Sequence, residues 1–193
     1  MTGRIEVIWG PMFAGKTTEL LRRIERHVLA GQNVLLVKHR SDCRYDAHKV
    51  VAHGGAEAPA VVAATLAEVA EAAADVDFIG IDEGQFFPDV YEWCVAWADQ
   101  GKTVIVAALD TYATRAPWHP IPALAATAET TTKLAAVCDA CKGDAAFTFR
   151  VAPEGPTVDV GGKDKYLPLC RACHLSRRAR GASADGKNEA HAT

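Results

Sequence analysis

An octet of the form G-x-x-x-x-G-K-[ST], Gly10-Pro-Met-Phe-Ala-Gly15-Lys16-Thr17, constrains this chain more than any other feature. Its spacing has a chemical reason. Two glycines let the backbone turn tightly and aim several N–H groups at one phosphate. The lysine reaches the outer phosphates, and the threonine hydroxyl can ligate Mg²⁺. The helix that begins here adds the positive end of its dipole. A chance glycine turn before a helix can imitate the octet, so context decides: a strand must precede it and a helix must follow. Residues 4–9 (RIEVIW) read as the strand. Over residues 16–30, Leu20, Ile24 and Val28 recur four apart with Leu21 beside them, one apolar helical stripe stopped by Gly31.

The alternation continues. Residues 33–38 (NVLLVK), 76–82 (VDFIGID) and 102–109 (KTVIVAAL) are near-continuous apolar runs, as buried parallel strands require. Residues 63–74 are alanine-rich and read as a helix, and Pro88 opens another that runs through Gln100 to Gly101. Residues 41–55 are polar and read as a loop. The expected class is α/β, a P-loop NTPase parallel sheet flanked by helices. The pattern changes after about Ala136, where short β-like pieces, 147–151 and 157–160, lie between two cysteine pairs. Residues 152–169 read as a long loop, and 176–193 as a disordered tail. The expected division is an ATP-binding α/β domain at 1–137, a small C-terminal zinc-binding β/lasso domain at 138–175, and the tail.

Two further groups carry chemistry. Asp82-Glu83 ends a buried apolar run, where P-loop proteins hold Mg²⁺. Adjacent residues on an extended chain point apart, so Asp82 can serve the metal while Glu83 faces an acceptor and takes its proton. Cys138-x-x-Cys141 and Cys170-x-x-Cys173 stand 28 residues apart, the pattern of two knuckles sharing one tetrahedral Zn²⁺. A redox pair or two disulfides are the alternatives. A closed four-thiolate site would be structural, fixing the ends of the segment between the pairs. His174, beside Cys173, reads as a bystander, and Cys43 and Cys94 as ordinary residues.

Charge and hydropathy exclude several classes. A net charge of -3 gives no global field for nucleic acid or an anionic membrane. No apolar run approaches the roughly 18 residues of a membrane span. Arg4 and Glu6 stand where a signal peptide needs apolar residues, so a cytoplasmic protein is expected. Phosphoryl transfer from a nucleoside triphosphate follows; the acceptor is left open by these motifs alone. An ATPase, a kinase for another nucleoside, and a zinc nucleic-acid-binding module switched by ATP remain alternatives, the last resting on Arg171, Arg177, Arg178 and Arg180.

Read together, GPMFAGKTTEL (10–20), DCRY (42–45), IGIDEGQFFPD (79–89), GKTVIVAALD (101–110) and GGKDKYLPLCRAC (161–173) resemble the type II thymidine kinases, the cytosolic family with a zinc-bearing lasso. The resemblance runs from about residue 4 to residue 173. It implies transfer of the γ-phosphoryl group of ATP to the 5′-hydroxyl of thymidine. It implies that Gly10, Pro11, Met12, Phe13, Ala14, Gly15, Lys16, Thr17 and Thr18 hold the triphosphate, joined by Arg44. Thr17 and Asp82 would hold Mg²⁺, and Glu83 would be the general base. Gln85, Phe86, Leu109, Trp118, Thr148 and Tyr166 would enclose the nucleoside, with backbone groups of Thr157, Val158, Asp159, Val160 and Gly161 reading the base. Cys138, Cys141, Cys170 and Cys173 would hold zinc. A homotetramer and feedback inhibition by thymidine triphosphate are also implied. The chain departs from the family at 110–118: Ala113 stands where an aromatic is usual, Trp118 where a Phe is usual, and Tyr112 comes one position early.

Overall fold

The computed structural model describes residues 2–42, 49–52, 54–151 and 161–188, with side chains of the last helix described through residue 179. In chain order the strands and α-helices are β1 (Arg4–Gly10), α1 (Lys16–Leu29), β2 (Val34–His39), β3 (Lys49–Val51), β4 (Glu57–Pro59), β5 (Val61–Ala63), α2 (Ala70–Ala74), β6 (Phe78–Asp82), α3 (Val90–Asp99), β7 (Thr103–Leu109), α4 (Ile121–Thr127), β8 (Thr130–Lys133), β9 (Ala136–Val137), β10 (Asp144–Ala145), β11 (Phe147–Arg150), β12 (Tyr166–Leu169) and α5 (Arg171–Asn188).

Six strands form the central sheet in the order β5-β2-β6-β7-β1-β8, and every neighbouring pair is parallel. The apolar runs are continuous because both faces are covered. Along β1 and β7 successive side chains go to opposite faces. Ile5, Val7, Val104 and Val106 meet Val90, Cys94 and Trp97 of α3 and Ile121 and Leu124 of α4. Ile8 and Ile105 meet Leu20, Leu21 and Ile24 of α1. Each such fully buried side chain contributes roughly 1.5–3 kcal/mol. Gly80 is glycine for contact reasons: a Cβ there would lie 2.2 Å from Ile24 Cδ1, so α1 could not sit as close to β6.

The short elements depart from the sequence expectation. The segment read as one loop, 41–55, contains β3, which pairs antiparallel with β4. Three-residue strands, closed by an exposed Lys49–Glu57 ion pair, leave too little periodicity to read. The alanine-rich stretch is not one helix from residue 63. Ala63 ends β5, a 3₁₀ turn covers Leu66–Val69, and α2 follows. The start is set from outside: both carboxylate oxygens of Asp89 accept N–H bonds at 3.0 Å, from Leu66 and Ala67. Neither α4 nor the polar edge strand β8 (TTTK) is visible in the sequence pattern. Residues 166–169, expected as loop, form β12 and pair antiparallel with β11. Beyond Cys173 the chain stays helical through Asn188, across residues expected to be disordered. Arg171 and Arg177 lie over the rings of Phe147 and Phe149 and anchor the first turns of that helix.

Candidate active site and zinc centre

The carboxyl ends of β1, β6 and β7 meet at one edge of the sheet, where open α/β folds gather ligands. Gly10, the last residue of β1, pairs in register with Leu109, the last of β7. Gly10 has φ 149°, and an added Cβ would lie 2.4 Å from the Leu134 carbonyl oxygen. The turn that follows puts Phe13 at φ 65° and Gly15 at φ 81°, and α1 begins at Lys16. A left-handed phenylalanine costs about 1–3 kcal/mol, so neighbouring structure must hold it. Its ring and Ala14 pack on the cluster of Ala136, Cys138, Ala145 and Leu169.

Lys16 Nζ donates to the Pro11 carbonyl at 2.7 Å, folded back across its own loop. Thr17 Oγ1 donates to the Asp82 carboxylate, 3.1 Å from Oδ1 and 3.3 Å from Oδ2. Asp82 is 4% exposed at the end of β6. A hydroxyl and a carboxylate in contact beside a phosphate loop are a suitable oxygen donor pair for Mg²⁺.

Glu83 does not continue the strand. It turns left-handed, φ 53° and ψ 42°, so it parts from Asp82 by a backbone turn and not by the pleat expected from the sequence. Gly84 makes that turn fit: a Cβ would lie 2.4 Å from Val106 Cγ1. Gln85 Nε2 donates to Glu83 Oε2 at 2.6 Å, while Gln85 Oε1 accepts the Leu109 N–H at 2.9 Å. Gln85 thereby ties the orientation of the Glu83 carboxylate to the end of β7.

Aromatic rings flank this group. Phe86 meets Trp118 edge-on at 5.6 Å, and Tyr112 stacks on Trp118 at 4.1 Å with 16° between planes. Trp118 is buried, and its backbone N–H donates to the Asp110 carbonyl at 3.0 Å. Tyr112, one position before Ala113, supplies the ring that stacks on Trp118. Tyr166 is buried in β12, and Gly161 packs close to the Lys165 side chain. Arg44, Thr157, Val158, Asp159 and Val160 lie outside the described residues, as does Cys43.

The four sulfurs of Cys138, Cys141, Cys170 and Cys173 lie within 4.8 Å of one another. Cys141 and Cys170 Sγ are 3.7 Å apart, far beyond a disulfide bond of about 2.05 Å. A zinc tetrahedron with bonds of about 2.3 Å needs sulfurs about 3.8 Å apart. The donor set fits zinc, with all four sites filled by sulfur and no open position. Backbone N–H groups support it: Cys170 donates to Cys138 Sγ at 3.3 Å, and Cys173 to Cys170 Sγ at 3.5 Å. Burial pushes the Cys138 thiol up, yet N–H groups of Cys141, Cys170 and Ala140 bring it down to about 6, favouring the thiolate.

Three residues were not singled out for these roles. His174, buried, stands apart from the sulfurs: its ring meets Phe147 and Phe149, and Nε2 lies 3.4 Å from the Ala113 carbonyl. Lys38, 2% exposed, donates to the Lys49 carbonyl at 3.1 Å and lies 3.6 Å from Asp42 Oδ2. It joins the two ends of the 43–48 segment. An apolar run ending in lysine hinted at it. Thr148, expected at the nucleoside, also accepts the Met12 N–H of the phosphate loop, at 3.0 Å. No sequence pattern announces that contact.

Residues 3–174 match the family described as thymidine kinase. The chain is 45% identical over 187 residues to thymidine kinase 1 of Dictyostelium discoideum, covering 95% of this chain and 82% of the relative. It is 45% identical over 187 residues to the cytosolic thymidine kinase of Homo sapiens, covering 97% and 79%. It is 42% identical over 173 residues to the thymidine kinase of variola virus, covering 90% and 97%.

Proposed function

This chain belongs to the thymidine kinase family, and from that premise we propose that it transfers the γ-phosphoryl group of ATP to the 5′-hydroxyl of thymidine. The observation that carries the mechanism is the pairing of two groups at one sheet edge: Thr17 on Asp82, and Gln85 on Glu83. Lys16 leaves the Pro11 carbonyl for the outer phosphates, and loop N–H groups take the remaining oxygens. Thr17 and Asp82 would hold Mg²⁺, which would supply neutralisation of the triphosphate's charge. Glu83, held by Gln85, accepts the proton of the 5′-hydroxyl as that oxygen bonds to the γ-phosphorus. The bond to the β,γ-bridging oxygen breaks, and ADP leaves. The aromatic group of Phe86, Trp118 and Tyr112 borders the nucleoside, with Leu109 and Tyr166. Zinc on the four cysteines is structural, with no part in the transfer.

One methyl separates thymidine from deoxyuridine, worth about 1–3 kcal/mol, so preference and not strict rejection is expected. The relatives' cytosolic names favour a cytoplasmic enzyme. A homotetramer inhibited by thymidine triphosphate completes the reading; sedimentation and competition with thymidine check both. Among the described residues, no helix is long and apolar enough to cross a membrane.

The decisive experiment is transfer of labelled γ-phosphate to a panel of nucleosides. Thymidine monophosphate should be the main product. Release of free phosphate alone, or transfer only to another nucleoside, would remove this reading.

A further inference from the structure

The four cysteines have so far one task, to fasten the segment between them. Their hairpin also touches the other substrate's site. Thr148, 3% exposed on β11, accepts the Met12 N–H of the phosphate loop at 3.0 Å. Next along that loop, Phe13 holds its left-handed backbone with its ring against the zinc unit's apolar cluster. The route back to the metal is short. Thr148 pairs with Pro168 of β12, two residues before Cys170, and the Pro168 carbonyl accepts the Asp139 N–H at 2.9 Å, next to Cys138.

We propose that Thr148 is a positioning residue of the phosphate loop, through which the zinc hairpin sets affinity for the donor nucleotide. A phosphate loop binds well only if its N–H groups already point inward, because ordering it on binding would cost affinity. A loop containing a left-handed phenylalanine does not hold that shape unaided. The Thr148 hydroxyl fixes one peptide of the loop, and the zinc cluster fixes the next. This goes beyond the enclosure of the nucleoside and rests on the reading of residues 10–18 as the ATP site.

The test uses the full-length, zinc-loaded protein with Mg²⁺-ATP and no thymidine, titrated by calorimetry. Thr148→Val should weaken ATP binding roughly tenfold, the loss of a hydrogen bond to a part-buried N–H. Thr148→Ser, which keeps the hydroxyl, should stay within about twofold. Zinc should remain at one per chain in both. Hydrogen exchange at the Met12 amide should be slow in the wild type without nucleotide, slow in Thr148→Ser and fast in Thr148→Val. Unchanged ATP affinity in Thr148→Val, with only KM for thymidine altered, would overturn the proposal. So would a Met12 amide that exchanges at the solvent rate in the wild type, which needs no variant to fold. A wild type that binds no ATP would instead refute the donor site itself.

Discussion

Glu83 shows how much of this chemistry depends on single positions. Its neighbours on both sides are fixed for packing: Asp82 ends a buried strand, and Gly84 has no room for a Cβ beside Val106. The carboxylate is therefore delivered by a left-handed turn and aimed by Gln85. The dipeptide was visible in the sequence, but the device that separates its two carboxylates was not, because backbone sign is set by what packs around it. Replacing Glu83 by Gln keeps the shape and removes the proposed proton acceptor. Turnover should fall roughly 10²–10⁴-fold while ATP still binds, read by steady-state kinetics beside calorimetry. Near-normal kcat would exclude Glu83 as the base.

Among the elements, α1 was the most legible, since its apolar stripe is long enough to show a period. Its polar face carries a network the stripe does not reveal. Glu19 receives Arg22 at 2.7 Å and Arg23 at 2.8 Å, and Arg23 reaches on to Glu6 of β1 at 2.6 Å. The Arg22 guanidinium first, then Arg23, hold the Glu19 carboxyl at about 2, down from its ordinary 4.5, against the effect of burial. A depressed carboxyl stabilises the fold above the unfolded value and loses that contribution as pH falls through the folded one. The stability gap between wild type and Glu19→Gln should thus be full near neutrality, shrink below pH 4.5 and close near pH 2. Urea midpoints across that range check it; a gap independent of pH would show that Glu19 acts by packing alone. The elements missed from the sequence, β3, β4, β5, α4, β8, β9, β10 and β12, are short or polar. The strands form because a neighbour supplies pairing, and α4 because Ile121 and Leu124 are buried in the core; the turn at Leu66 likewise takes its cap from distant Asp89.

At the scale of the whole molecule, the zinc hairpin and the sheet edge act as one structure. Four sulfurs draw β9, β10, β12 and α5 together, and Phe13 and Ala14 of the phosphate loop pack on the apolar cluster beside them. Zinc bound by these four sulfurs would supply on the order of 10 kcal/mol of folding energy to so small a unit. Cys170→Ser should therefore lose its zinc, lower Tm and weaken ATP binding together, as metal analysis, calorimetric melting and titration would show. Full stability without zinc would remove the staple. The sequence by itself determined the class of fold, the glycine-lysine turn between β1 and α1, the Asp82-Glu83 pair at a strand end and the four clustered cysteines. Each of these is a local pattern in which residue type and spacing already dictate the chemistry. Only the tertiary structure decided that Tyr112 stacks on Trp118, that Gln85 holds the Glu83 carboxylate, and that Thr148 meets Met12 across 136 residues of chain. Those contacts join segments whose separation leaves no periodicity to read, and they exist because packing, not propensity, chooses which distant side chains share a buried space.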